Sequence, residues 1–219
     1  MPRLLFEKKG NAIWISHLDL MRLFQRAFKR AGLPLKHTQG YNPKPSVSIA
    51  LPLSVGIESS CELLDFDLDN DFQQWEKLPD LLNPVLVDGI CVHAAYQNGM
   101  KIRDLSLMRS LITLEYDNGI PEMAIDEIAK LLHRPEVKVI KKTKSGPQEQ
   151  DIIPMIKEFV IRAGDRGILE LEVVHCCQNP TLNPMQIPAA IAEYLPQYAP
   201  NHSKCSRIEI YDKNETIFR

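Results

Sequence analysis

Residues 16–34 constrain the fold most, because they read as one capped, two-faced helix that must lie on something flat and apolar. Ser16 is a good N-cap, since its hydroxyl can accept from the open backbone N–H groups of a first turn. Asp19, three residues on, completes a capping-box spacing. Gly32 follows the last turn and Pro34 stands just beyond it, a glycine-then-proline stop. At about 100° per residue, Met21, Phe24, Phe28 and Ala31 share one face, and Arg22, Arg26, Lys29 and Arg30 gather on the opposite one. Such a helix packs on a sheet and turns a basic ridge to solvent.

The flanking segments supply that sheet. Arg3–Lys8 alternates as a short strand, and Lys36 to Pro45 is a loop rich in Gly, Asn and Pro. Ser46–Leu51 and Glu62–Leu68 read as strands, Phe72–Leu82 as a second helix and Gly89–Ala95 as a fourth element of strand type. The order is β-α-β-β-α-β, the ferredoxin-like pattern. The remainder repeats it. Ser110–Tyr116 is a strand, and Pro121–Leu132 is a helix with its proline near the first turn. Val137–Lys142 is a strand, and Glu158–Ile161 with Ile168–His175 forms a hairpin across residues 164–167. Met185–Leu195 is a helix that tolerates Pro188 only in its first turn, and Arg207–Tyr211 closes the chain. That is one strand more than a strict repeat, with Thr143–Asp151 as a polar surface loop. The expectation is an α+β protein of two ferredoxin-like (βαββαβ) halves, residues 1–98 and 99–219, cut within Gln97–Lys101.

With 219 residues and 44% hydrophobic content, the chain can bury one large core or two small ones. No stretch reaches the roughly 20 apolar residues of a membrane span. Met1 to Gly10 already alternates apolar and charged residues, unlike a secretory signal, so a cytoplasmic location is expected. Five scattered cysteines, with no C-x-x-C pair, suit neither a disulfide framework nor a zinc ribbon. The C-x-x-x-C-x-x-C pattern that holds the cluster of radical SAM enzymes is also missing. Nucleotide-cradling glycine motifs are absent, and Asp69-Asn70-Asp71 lacks the rest of a calcium loop. No cofactor and no metal is expected.

The net charge of −2 conceals an asymmetry. Residues 1–50 hold Arg3, Lys8, Lys9, Arg22, Arg26, Lys29, Arg30, Lys36 and Lys44 against Glu7 and Asp19 alone. Residues 51–98 reverse this, with Glu58, Glu62, Asp65, Asp67, Asp69, Asp71, Glu76, Asp80 and Asp88 against Lys77. A basic face for an anionic partner and an acidic face pointing elsewhere is one meaning; two solvated surfaces is the other.

Candidate binding residues cluster early. His17, in the first helical turn and on its apolar face, reads as a buried, hydrogen-bonded histidine, or else as part of a site where a helix N-terminus attracts an anion. His37, Gln39, Tyr41, Asn42, Lys44 and Ser46 crowd donors and an aromatic ring into one loop, more than a turn needs. Arg22, Arg26 and Arg30, with Lys29, can track a nucleic-acid backbone or simply solvate a helix. His17, His37 and Tyr41 also offer general acids and bases for metal-free RNA cleavage, although no spacing forces them together.

Three segments carry a resemblance: Ile13–Arg22, Gln39–Pro45, and Leu51–Ser59. Together they resemble the N-terminal signature of the radical-SAM-linked family of unknown function, whose members are encoded beside, or fused behind, radical SAM proteins. The match covers residues 1–70. A second resemblance, of architecture, is to CRISPR repeat-processing endoribonucleases, which are paired ferredoxin-like domains. The first implies an accessory chain that presents a substrate, with RNA favoured, to a radical SAM protein. A metal-independent endoribonuclease and a protein-docking subunit are the competing classes.

Overall fold

The computed structural model describes residues 1–69, 72–143 and 146–219. The chain divides into two compact units, residues 1–104 with 218–219 and residues 105–217. The division falls past the Gln97–Lys101 segment, and the last two residues return to the first unit.

The first unit contains β1 (Arg3–Lys8), α1 (His17–Arg30), β2 (Val47–Ile49), β3 (Glu58–Phe66), α2 (Leu78–Leu82) and β4 (Ile90–Tyr96). Its strands run β4–β1–β3 with β2 on β3, every pairing antiparallel. Leu20, Phe24, Ala27 and Phe28 are the buried side of α1. They join Leu4 and Phe6 of β1 and Leu64 and Phe66 of β3 in one core. Phe6 meets Phe24 edge-on at 4.7 Å between ring centres, and Phe28 meets Phe66 at 4.9 Å. Each buried Phe contributes about 1.5–3 kcal/mol of apolar transfer. The buried stripe is centred between Phe24 and Ala27, so Met21 and Ala31, expected on the apolar face, are its half-buried flanks.

The caps of α1 form as the sequence implies. Ser16 Oγ accepts from the Asp19 N–H at 3.3 Å. Leu33 N donates to Phe28 O at 2.9 Å and Gly32 N to Lys29 O at 3.2 Å, the paired bonds of a Schellman end. The second helix is far shorter than the expected 72–82. Pro79 fits only a first turn and Pro84 has no N–H to continue one, so five helical residues sit between two 3-10 turns.

Much of the charge asymmetry cancels inside this unit. Arg3 faces Asp65 across β1 and β3 and forks onto it, Nε to Oδ1 at 2.6 Å and Nη2 to Oδ2 at 3.0 Å. Lys36 lies 3.6 Å from Asp67. The alternating acids of residues 65–69 are thus partly partners of the basic segment. Asn70 and Asp71 lie outside the described residues. The Arg3 guanidinium also covers the Phe218 ring at 5.4 Å, and Met100 N donates to Arg219 O at 2.6 Å, which fixes the last residues here.

The second unit contains β5 (Leu105–Glu115), α3 (Ala124–Leu132), β6 (Lys138–Thr143), β7 (Gly146–Asp151), β8 (Ile156–Ala163), β9 (Ile168–Cys176), α4 (Gln186–Tyr194) and β10 (His202–Asp212). Its sheet runs β10–β5–β9–β8, again antiparallel throughout, and β6–β7 is a separate two-stranded hairpin. Removing that hairpin leaves β-α-β-β-α-β in the strand order of the first unit. Thr143–Asp151, expected as a loop, is mostly β7, paired with β6 from Lys138↔Asp151 onward; Lys144 and Ser145 lie outside the described residues. The hairpin is anchored by its apolar partner side, with Val137 and Val139 buried and Val137 N donating to Asp151 Oδ1 at 2.9 Å. A strand written entirely in polar residues carries no alternation to read. The α+β class holds for both units. Among the described residues, no helix is long and apolar enough to cross a membrane.

Candidate functional site

The first unit holds a groove of about 700 Å³ beside the last two turns of α1. Gln25, Arg26 and Lys29 form one wall, Gly32 to Leu35 the turn beneath, and His37 and Pro45 the other side. Its apolar floor follows from the helix stop. The Schellman end turns the chain back, so Leu33 and Leu35 bury against the core while Pro34 stays exposed. Cations crown the floor. Arg22, Arg26, Lys29 and Arg30 are all exposed, as the wheel implies. Arg22 is held by Asp19 at 3.0 Å, whereas no described acid pairs with Arg26, Lys29 or Arg30. Asp19 itself is held below the usual carboxylate range by its Ser16 hydrogen bond and by Arg22.

The loop after the helix is fixed at its base and open at its tip. His37 bridges Pro45, Thr38 N donates to Lys44 O at 2.8 Å, and Ser46 N donates to Lys36 O at 2.7 Å. Lys44 N donates to Thr38 Oγ1 at 3.1 Å, closing the neck. Beyond it, Gln39, Gly40, Tyr41 and Asn42 project outward, and Tyr41 is fully exposed at 107%. His37 and Lys44 are exposed too, and Ser46 is half-buried with its carbonyl accepting from Asp67 N at 3.1 Å.

The structure therefore brings Arg26 and His37 together and leaves Gln39, Tyr41, Asn42 and Lys44 on the same exposed loop. It separates His17. That residue is the first of α1, twelve positions before Lys29, which is about 18 Å along the axis at about 1.5 Å per residue. His17 is half-buried rather than buried, and no described residue hydrogen-bonds its ring. The groove lies at the C-terminal end of the helix, where the macrodipole repels anions, so side chains rather than the dipole must hold any phosphate there. The anion site expected at the helix N-terminus is a different place from this groove. Gln25, Gly32, Leu33, Pro34, Leu35 and Pro45 are the lining residues that sequence reasoning did not assign to a site; the proline-bounded stop after a basic turn was the available signal.

The family described as an uncharacterized protein conserved in bacteria (DUF2344) matches residues 2–184. No curated protein matches the sequence. A chain from the crystal structure of a Cbf5–Nop10–Gar1 complex superposes with a TM-score of 0.55 at 8% identity, over 95% of this chain and 48% of that one. A chain from an H/ACA RNP bound to a substrate RNA containing 2'-deoxyuridine gives a TM-score of 0.49 at 7% identity, over 94% and 46%. The chain thus spans about half the length of the solved chains it matches. At such identity the likeness is one of fold.

Proposed function

We propose, from the premise that the chain belongs to this uncharacterised bacterial family, that it binds single-stranded RNA along α1 and presents it to a partner enzyme. The observation that carries the reading is the groove: about 700 Å³ with an apolar floor, lined also by Arg26, Lys29 and His37 and with no acid among its lining residues. Single-stranded RNA needs cations for its phosphates and a flat surface for each unstacked base. Tyr41, fully exposed in the loop that follows His37, supplies a stacking surface at the loop tip. The partner is a radical SAM protein, a choice that rests on the sequence resemblance of residues 1–70.

Binding measured by fluorescence anisotropy across a salt series tests the RNA reading. Affinity is expected to fall with salt at about −0.7 in slope per neutralised phosphate. The double variant Arg26→Glu, Lys29→Glu is expected to flatten that slope with the melting temperature unchanged, as both side chains are exposed. Unaltered slope and affinity would remove the groove from the proposal, and a protein that binds no RNA would leave docking to protein as its role. Co-purification from the native cell tests the partner separately. The nuclease alternative is disfavoured by the length of α1 between His17 and His37; chelator-resistant cutting of RNA, lost in His37→Ala, would reinstate it.

A further inference from the structure

Apart from the groove, the sheet of the first unit gathers three metal-binding side chains that are far apart in sequence. Cys91 and His93 are two positions apart on β4, so both point to one face. Glu7 lies directly opposite Cys91 in the antiparallel pairing of β1 with β4. One ligand atom from each lies within 4.8 Å of the others, and His93 Nε2 is 3.2 Å from Glu7 Oε2. All three retain solvent access, Glu7 and Cys91 partly and His93 freely.

These distances suit one class of ion. A tetrahedral site with bonds of about 2.0–2.3 Å places its ligand atoms roughly 3.3–3.8 Å apart. The His93–Glu7 separation is already at that spacing, and Cys91 needs to approach by about an ångström, within reach of a side-chain rotation. Thiolate with imidazole favours zinc and its borderline neighbours over magnesium or calcium, which prefer oxygen alone. Paired antiparallel strands also hold Cys91 and Glu7 more rigidly than a loop would. The main competitor is Lys9, whose Nζ lies 2.7 Å from Glu7 Oε2. That pair is partly exposed and adds little net stability.

We infer that Glu7, Cys91 and His93 form a binding site for one zinc-class divalent ion, with water in the fourth position. On binding, the Cys91 thiol gives its proton to solvent, and thiolate, neutral imidazole and carboxylate each donate an electron pair to the ion. No electron is transferred.

Cobalt(II), which occupies such sites and absorbs light, is the probe. Titrating the full chain is expected to produce a thiolate-to-cobalt band in the near ultraviolet, and intense visible bands of a four-coordinate ion, saturating at one equivalent and bleached by added zinc. Cys91→Ser is expected to lose the near-ultraviolet band and His93→Ala to lose binding, with melting temperatures unchanged. Cys176→Ser, altering a half-buried thiol in the second unit, is the control and retains the full spectrum. A cobalt spectrum without a thiolate band, or a band that survives in Cys91→Ser, overturns the assignment.

Discussion

The two units share a strand order and differ in what they bury and what they show. In the first, aromatic rings fill the core, and the outer side of α1 carries Arg26, Lys29 and Arg30, with which no described acid pairs. In the second the core is aliphatic, built from residues such as Ile112, Leu171, Val173, Ile128 and Ile191. Its helix α3 neutralises its own surface, with Lys130 2.7 Å from Glu127 one turn before it. Both units bury polar groups, Arg3, Lys8, Ser59 and Glu62 in the first and Ser110, Arg207 and Asp212 among those of the second, but the second alone buries a histidine. His175 is fully buried, its Nε2 lies 3.0 Å from Ser110 Oγ, and its Nδ1 lies 3.2 Å from the Cys176 carbonyl oxygen. The Nδ1–H then donates to that carbonyl, and Nε2 accepts from the serine. Cys205 and Arg207 are buried on the same strand, β10. One scaffold thus carries two features: unpaired cations on the outside of a helix in the first unit, and in the second a buried imidazole that makes the fold sensitive to its protonation.

The largest expected effect breaks that comparison at low pH. Burial, helped by the Arg207 charge, outweighs the hydrogen bond to Cys176 and lowers the His175 pKa to about 4. In the unfolded chain the same imidazole titrates near its ordinary value of about 6.5. Between those values the unfolded chain binds a proton that the folded unit refuses. Stability is therefore complete above about pH 6.5 and declines as pH falls toward 4, by about 3 kcal/mol in all. Urea unfolding at pH 7 and pH 4.5 should show the decline, and His175→Gln should remove most of it. Hydrogen exchange localises it, since β5 and β9 amides should lose protection before those of β1 and β3. Equal acid sensitivity in wild type and variant would refute the role of His175.

Next in size are two glycines that make the same close approach in both units. Gly89 accepts from Lys9 N at 2.8 Å, and Gly167 accepts from Tyr116 N at 2.9 Å, each just beyond the end of its unit's first strand. A Cβ on Gly89 would lie 2.3 Å from Lys9 O, and one on Gly167 2.4 Å from Tyr116 O, both at positive φ. Gly89→Ala and Gly167→Ala should each cost at least about 2 kcal/mol, read by chemical unfolding. A substantial cost in one unit alone would show that the resemblance between them stops at topology.

These contrasts also show where the sequence was legible. Helix α1 was, because caps, period and stop agree on one span, and the hairpin of β8 and β9 was marked by its glycines. The core polar group was not: Ser110, His175 and Cys205 lie 30 to 95 positions apart and meet only through strand pairing. The same holds for Glu7, Cys91 and His93, where only two of three are neighbours in sequence. Hairpin β6–β7 was half-missed because Gly146–Asp151 has no apolar period. The groove was half-seen, since the basic turn and the loop were evident but the Schellman end that sets them side by side is a backbone event.

A smaller effect sharpens the contrast at the helix start. Ser16→Ala removes the acceptor for Asp19 N and should cost about 1 kcal/mol in thermal unfolding, with RNA affinity unchanged, because the cap stands a helix length from the groove. A loss of affinity without a loss of stability would move the binding surface to the other end of α1.

The smallest expected effect is at His17, and it separates two histidines that look alike in sequence, each among apolar neighbours. His175 has two hydrogen-bond partners and no exposure; His17 is only half-buried and has no described hydrogen-bond partner. The cost of removing a polar side chain comes mainly from partners left unsatisfied in a buried place, and His17 leaves none. His17→Ala should therefore change stability by no more than about 0.5 kcal/mol, against several times that for His175→Ala. Differential unfolding in urea at pH 7 measures both on one scale. A cost at His17 approaching that at His175 would mean the first turn of α1 is held by a contact that depends on the imidazole, and would place that turn back among the candidate binding surfaces of the first unit.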